Sequence, residues 1–571
     1  MIATTSPGMS GPGQCPRQSL CSCFAQSQLP GNGISMPKGF GATGLILSRR
    51  VLLKAAAIGA SGLASPALIG RAAGQGLSWS SGDPFSLGVA SGAPSAQGFV
   101  IWTRLAPVPL SPDPATPGGM PQQSVPIIYE VATDDAMREV VRRGTVTAET
   151  SLAHAVHVDV TGLAPGRSYW YRFSSGSAQS RIGRAITLPS PDSKPDRLRF
   201  GYVSCANFEH GYFSAYRHLA DEHPDVVLFL GDYIYEGVGD QPDKIRHHSD
   251  GVEARDLVTY RNRYAQYRLD PDLQRIHAEA PSLITWDDHE VQNDYASQWS
   301  QTFDDPAQFL LRRAAAYKAF YEHMPLRAQP TGPDLHLFDR FGFGDLVEFS
   351  MVDGRQYRSR EACYGPPKQG GGHLETNESC PERRDPSRTM IGDEQEAWLL
   401  DGLTLSAARW NVIGQDVLMA QLRQKTPDGD FEYWTDDWDG YPASRTRLLQ
   451  HLSRSRVRNP VVLGGDIHSF WANDLKLDFD DPTSPTVATE LVGTSIASRG
   501  PPYELFAKCL PDNPHVRFFE SRFRGYACAD LTQATMTTRF RVVSDVTMSD
   551  ATVSTLKTFA VENGRPGAME T

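Results

Sequence analysis

Four short apolar runs in this chain each end in residue types that hold metals or move protons, and no other feature constrains the fold as strongly. Leu198–Val203 runs into Ser204-Cys205, and Val226–Leu230 into Gly231-Asp232-Tyr233-Ile234-Tyr235-Glu236. Leu283–Trp286 is followed by Asp287-Asp288-His289-Glu290 and then Asn293-Asp294, and Val461–Leu463 by Gly464-Gly465-Asp466-Ile467-His468. These runs read as buried strands, and they alternate with longer amphipathic segments such as Phe309–Met324, where Leu311, Ala314, Ala315, Lys318, Ala319 and Glu322 keep helical spacing. The alternation predicts an α/β fold, in which ligands gather at the carboxyl ends of the strands.

Each fragment alone is ordinary. Gly-Asp after a strand is often a capped turn, Asp-x-His is more often structural than ligating, and a tyrosine three residues after an aspartate is usually packing. Their joint occurrence at four strand ends points to a site with more than one metal. A carboxylate such as Asp232 can bridge two cations, as two-metal sites with a separation of about 3.5–4 Å require. A thiolate, a phenolate and an imidazole suit a high-valent transition metal such as Fe(III), and carboxylate and amide oxygens suit Ca²⁺ or Mg²⁺. A phenol titrates near about 10 and ligates near neutrality only if a strongly acidic metal displaces its proton, so Tyr235 argues for Fe(III) over Zn²⁺.

Composition narrows the class. With 571 residues, 40% hydrophobic and 21% charged, the chain can bury large cores and is neither disordered nor a coiled coil as a whole. A formal charge of −11 argues against a basic nucleic-acid surface. Ser48-Arg49-Arg50-Val51-Leu52-Leu53-Lys54, followed by an Ala, Gly and Ser rich stretch to Ile69, predicts a twin-arginine export signal with cleavage near Arg71-Ala72-Ala73. Lys54 and Pro66 leave too short an apolar run for a membrane anchor. The 47 residues before Ser48 are many for such a signal, so the start is either Met1 or Met36. Residues 1–73 are thus expected to be a removable leader, the twin-arginine translocase a partner, and the mature protein periplasmic or secreted.

Of eight cysteines, the leader takes Cys15, Cys21 and Cys23, and 8 − 3 leaves five for an oxidising compartment. Cys363 with Cys380 and Cys509 with Cys528 lie close enough in sequence to bridge, although sequence does not fix connectivity. Cys205 is then left over as a free thiol, a ligand or a nucleophile.

Residues 78–188 read as an all-β module. Val156, Val158 and Val160 alternate with His157 and Asp159, Gly162–Gly166 makes a turn, Tyr169–Phe173 is another strand, and the Leu163, Pro165, Tyr169 spacing suggests a fibronectin-like sandwich that packs rather than catalyses. Residues 189–196, with Pro189, Pro191 and Pro195, read as a linker. Residues 197–546 read as the catalytic domain, with Phe540–Val543 as a late strand, and 547–571 as a C-terminal tail, frayed from Gly564 onward. His247-His248 reads as solvated surface, and Trp434, Trp438 and Tyr441 as either cleft lining or core.

The strand-end motifs, with Val203-Ser204-Cys205, Thr285–Val291, Gly464–Asp474 and Leu491–Ser495, resemble the PhoD-type alkaline phosphatase/phosphodiesterase branch of the calcineurin-like metallophosphoesterases; Asp353–Arg358 and Trp438–Tyr441 match more weakly. The resemblance implies a four-layer β-sandwich flanked by helices after a small β domain. It also implies one Fe(III) held by Cys205, Asp232, Tyr235 and His468, and one or two Ca²⁺ held by Asp466 and Asn293 with Asp232 bridging. Asp288 stands where that superfamily has an Asn, so Asp288 and Asn293 compete for one ligand position, with Asn293 favoured. His289 would protonate or orient the leaving group, and Arg355 would grip phosphate or pair with a carboxylate. The implied reaction is attack of metal-activated hydroxide on a phosphate ester by an exported phosphate-scavenging enzyme, expected to be monomeric. A phosphodiesterase or phospholipase D acting on phospholipid-type substrates, and a non-catalytic exported metal-binding protein, are the alternatives.

Overall fold

The computed structural model describes residues 79, 82–239, 241–366 and 370–571. The expected leader, with Arg49-Arg50 and its three cysteines, lies outside the described residues. Two large sheets form the middle of the molecule. The first runs, edge to edge, Arg565–Glu570, Val553–Glu562, Thr535–Val543, Gly525–Thr532, Arg197–Val203, Val226–Leu230, Ser282–Thr285, Val89–Ser95, Gly98–Arg104 and Ala155–Val160. The second runs Asp339–Phe343, Val347–Met351, Trp410–Gly414, Pro460–Gly464, Thr486–Val492, Phe470–Lys476 and Val516–Glu520.

Side-chain alternation shows how the layers stack. In Val226–Leu230, the residues Val226, Leu228 and Leu230 enter a core shared with Phe349, Val412 and Leu463 of the second sheet. Val227 and Phe229 point the other way, into a core with Tyr216, Leu219, Tyr264 and Phe320 from the helices Ser214–Asp221, Leu257–Arg268 and Pro306–His323. Val461 and Leu463 face the same central core, whereas Val462 packs under Leu399, Leu448 and Leu452 of the helices Asp393–Leu405 and Pro442–Arg454. The order is therefore helix, sheet, sheet, helix. A strand buried on both faces needs apolar residues at every position, and this is why these runs stand out in the sequence.

The central strands run parallel. Arg197–Val203, Val226–Leu230 and Ser282–Thr285 are parallel neighbours in the first sheet. Val347–Met351, Trp410–Gly414, Pro460–Gly464 and Thr486–Val492 are parallel neighbours in the second. Within each sheet, every carboxyl end in these sets therefore opens at one edge.

The helix expected over Phe309–Met324 spans Pro306–His323, started by Asp305, whose carboxylate accepts from the Ala307 and Gln308 backbone N–H groups. Its buried face carries Phe309, Ala316, Tyr317 and Phe320, whereas Leu311 is 65% exposed, so the helical period is right but the face is rotated. Tyr317 stacks on the fully buried Trp286 with ring centroids 4.1 Å apart, which clamps the chain just before Asp287.

The N-terminal β region is not a free-standing sandwich. Val89–Ser95 pairs in parallel with Ser282–Thr285 through Gly92 and Ser282, so three of its strands extend the first large sheet. A second, smaller sheet built on Val125–Ala132, Val140–Ala148 and Ser168–Ser175 packs against them through Phe99, Ile101, Ile127, Tyr169 and Tyr171. The Tyr169 hydroxyl turns back to Ala164, 3.0 Å from its backbone nitrogen and 3.2 Å from its carbonyl oxygen, and pins the turn that the Leu163, Pro165, Tyr169 spacing signalled.

Three expectations are corrected. The stretch from Gly564 onward is not frayed, because Arg565–Glu570 pairs antiparallel with Val553–Glu562 at the edge of the first sheet. His248 is buried, packed on Phe208 and Tyr267, and only His247 is exposed. Cys363 and Cys380 form a disulfide, but Cys509 and Cys528 do not: Cys528 belongs to the core under the first sheet's helices and Cys509 to the core on the far side of the second sheet. A chain beginning after residue 73, denatured without reductant, should therefore titrate three thiols, Cys205, Cys509 and Cys528. A count of one would mean that the second bridge forms.

Candidate metal centre

The loops that leave the parallel strands converge on Asp232. Cys205, Asp232 and His468 bring Sγ, a carboxylate oxygen and an imidazole nitrogen within 4.8 Å of one another. Asp232, Asp288 and His289 form a second such group, and Asp287, Asp288 and Asp466 a third. Asp232 and Asp288 each belong to two groups and so join them. Tyr235 completes the first: its Oη donates to Asp232 Oδ2 at 2.7 Å and lies 2.9 Å from His468 Nε2.

Tight backbone geometry makes this convergence possible. Cys205, Asp232, Asp466 and His468 all adopt left-handed conformations, with φ of 59°, 53°, 62° and 53°. Non-glycine residues rarely adopt this region, and each costs on the order of 1–3 kcal/mol that surrounding interactions must offset. Gly231, with φ of 99°, is required where two site loops touch: a Cβ there would lie 2.4 Å from Cβ of Asp287. Glu290 locks the same crossing, since its carboxylate accepts backbone N–H groups from Asp232 at 3.1 Å, Tyr233 at 2.5 Å and Asp287 at 2.8 Å.

A further shell orients the converging groups. His468 Nδ1 lies 2.8 Å from the Arg499 carbonyl oxygen, which leaves Nε2 facing Tyr235 and Asp232. Ser498 Oγ lies 2.7 Å from Tyr235 Oη and 2.9 Å from the Cys205 carbonyl oxygen. His289 Nδ1 lies 2.6 Å from Glu236 Oε2, and its ring packs on Tyr235 at 4.1 Å. Asn293 sits half-buried in the same loop, its backbone N–H donating to Glu236 Oε1 at 2.8 Å. Asp288, placed second to Asn293 from the sequence, is the residue that belongs to two of the groups.

The electrostatics are those of a cation site. Burial pushes the Cys205 thiol and the Tyr235 phenol well above their ordinary values, and Asp232 pushes both further. Burial likewise holds the Asp287 and Asp466 carboxyls well above the usual range, with Asp288 adding to it, although Arg355 opposes the shift. Asp416 is pushed up by burial to about 7. Asp232 Oδ1, Asp287 Oδ2 and both Asp416 carboxylate oxygens are buried without a hydrogen-bond partner. Burying carboxylates this densely is costly unless positive charge is supplied, and a thiol, a phenol, an imidazole and carboxylates together fit one softer and one harder cation. The donor set thus fits the group expected from the sequence.

Arg355 does not reach the opening. It is fully buried and saturated by carboxylates: Nε donates to Asp287 Oδ1 at 2.6 Å, Nη1 and Nη2 donate to Asp436 at 2.7 and 2.9 Å, and Asp416 Oδ2 lies 3.5 Å away. Of the two roles expected for it, grip on phosphate or pairing with a carboxylate, its contacts are those of the second, in an internal ion network that Arg358 joins through Asp436. Trp438 and Tyr441 are buried as well, bonded to Gln415 and to the Ser359 carbonyl oxygen, and Trp434 alone of the three lines the opening. That opening is a cavity of about 470 Å³ lined by Asp294, Asp436, Asp466 and His468 together with Arg499 and several apolar residues. Asp287 is among the strand-end residues in the sequence but has no role assigned there, and Asp416, Asp436 and Ser498 have no signal beyond position just after the strand ends or the Leu491–Ser495 motif. Replacing Arg355 with Met should cost about 3–5 kcal/mol of stability, since it strands buried charges. Chemical denaturation without substrate would detect this, and unchanged stability with a raised KM would restore the phosphate grip.

Comparisons with known proteins agree with this architecture. Residues 200–540 match the family model for the PhoD-like phosphatase and residues 72–189 the model for the PhoD-like phosphatase N-terminal domain. Alkaline phosphatase D of Bacillus subtilis (strain 168) is 43% identical over 493 residues, 85% of this chain and 82% of that protein. The solved structure of PhoD superposes with a TM-score of 0.80 at 41% identity, covering 86% of this chain and 92% of that one. A shorter match, 35% identical over 83 residues, is to purple acid phosphatase 15 of Arabidopsis thaliana, covering 14% of this chain and 15% of that protein. The chain belongs to the PhoD-like phosphatase family and is a phosphoric ester hydrolase.

Proposed function

We propose that the protein is an exported, metal-dependent phosphatase that hydrolyses phosphate esters at the cluster centred on Asp232. One observation carries this reading: Cys205, Asp232, Tyr235 and His468 on one side and Asp288 and Asp466 on the other share a buried, acidic pocket that opens to a cavity. The first set would hold Fe(III) and the second Ca²⁺, with Asp232, which belongs to two of the donor groups, available to both and Asn293 as an additional oxygen donor. Bound there, the two cations would polarise the ester and acidify the attacking water.

The protein's own groups do the rest. Arg499 and Ser498 hold His468 and Tyr235 in register, as partners behind a metal ligand do. Glu236 fixes the orientation of His289, whose other ring nitrogen is then able to give a proton to the departing alcohol oxygen. Asp287 and Arg355 act from behind, by holding the loop geometry. Phosphomonoesters are the proposed substrates. The diester reading stays in view because the cavity extends past the cluster along an apolar wall, which leaves room for a second substituent.

Export by the twin-arginine route to the periplasm or the exterior rests on Arg49-Arg50, and the Cys363–Cys380 disulfide supports an oxidising destination. Among the described residues no helix is long and apolar enough to cross a membrane.

Purified mature protein should carry about one iron per chain and show a phenolate-to-iron charge-transfer band; zinc without colour would reject the ligand set. Activity on a nitrophenyl monoester should exceed that on the bis-ester at alkaline pH, and the reverse order would select the diester reading. Asp232→Asn should lower kcat/KM by more than about 100-fold, and Ser498→Ala should weaken metal binding by about 10–100-fold. Arg49→Lys with Arg50→Lys should trap the protein in the cytoplasm, whereas normal export would refute that route.

A further inference from the structure

The cavity beside the cluster has a charged part, which includes Asp294, Asp436, Asp437 and Arg499, and an apolar part. Asp466 and His468 belong to the reacting centre, while Leu374, Leu422, Trp434, Leu505 and Phe506 make an apolar surface continuous with it. Trp434 and Leu374 are each 37% exposed and Leu505 is 40% exposed, an unusual outlay of apolar area beside a charged site. Trp434 and Leu374 are direct cross-strand partners in the small sheet of Leu374–Thr376, Gln424–Lys425 and Phe431–Trp434, so they present one face. The preceding residue, Tyr433, is buried and faces Arg383, whose guanidinium lies 4.1 Å from its ring, so alternation turns Trp434 the other way.

The indole is also fixed in place. Gly372 packs against it so closely that a Cβ would lie 2.6 Å from its Cζ2 atom. The Gly372 N–H donates to Asp294 Oδ2 at 2.8 Å, and the Asp294 N–H donates to Asp288 Oδ2 at 2.6 Å. Two hydrogen bonds thus connect the aromatic platform to the centre of the cluster. A large, rigid ring held ready next to a phosphate-sized site binds apolar groups with little ordering cost.

We propose that Trp434, with Leu374 and Leu505, binds the alcohol portion of the ester, and that the enzyme prefers phosphate esters of aromatic alcohols to those of small hydrophilic ones. The inference rests on the phosphate-ester reading of the cluster. Binding of two unreactive probes, phenylphosphonate and methylphosphonate, to the purified holoenzyme tests it by calorimetry. Wild type should bind the phenyl compound roughly ten-fold more tightly. This ratio should fall to near one in Trp434→Ala, return in Trp434→Phe, and fall by a smaller factor in Leu505→Ala. Equal binding of the two by wild type, binding of neither, or a ratio that survives in Trp434→Ala would overturn the proposal. Phenyl phosphate hydrolysis measured alongside separates the two readings. A binding preference without hydrolysis would keep the platform and remove the proposed activity, and hydrolysis without preference would do the opposite.

Discussion

The guanidinium of Arg355 is the charge around which the two sheets close. It follows the strand Val347–Met351 of the second sheet and reaches Asp287, beyond the end of Ser282–Thr285 in the first; Asp416 and Asp436 complete its surroundings. Without it those carboxylates would repel one another in a region that excludes water. With it, the loop from Asp287 to Asp294 has a fixed start, and Glu290 can then gather the backbone of Asp232 and Tyr233. The arrangement of the cluster on one side of this ion network thus depends on a fully buried residue outside the cavity lining.

A buried network of this kind is rarely a net gain in stability over apolar packing. Its value here is geometric. Four residues of the cluster sit in left-handed backbone conformations, which the chain would abandon if their partners were loose. Glu290, Arg355 and the Trp286–Tyr317 stack supply the restraint from three directions. The cluster is therefore held from behind, and the cavity side remains open.

The strand ends and their donors were legible in the sequence because parallel strands buried on both faces need unbroken apolar runs, which stand out against everything else. Cys205, Asp232, Tyr235, Asp288, Asp466 and His468 could be found this way. What could not be found is set by pairing across long separations. Nothing near Arg355 in sequence shows that Asp287, Asp416 and Asp436 would enclose it. The spacing of Cys509 and Cys528 suits a bridge, yet the fold sends them to opposite faces of the sandwich. The last two strands were obscure for a different reason: Val553–Glu562 and Arg565–Glu570 lie at an edge with many polar, partly exposed residues, so their pattern resembles that of a tail.

The composition of the first sheet has a consequence for how the protein is made. Its neighbouring strands come from residues near 89, 200, 228, 283, 528 and 560, and its last strand ends at Glu570. Four of its nine pairings join antiparallel strands adjacent in sequence, but the pairings that unite its blocks, Gly525–Thr532 with Arg197–Val203 and Val89–Ser95 with Ser282–Thr285, link distant parts of the chain, a topology that folds slowly because loop closure precedes its reward. The strand that leads into Cys205 thus gains its second neighbour only once Gly525–Thr532 has been made, and any passage through a membrane that requires a folded cargo must wait for that pairing.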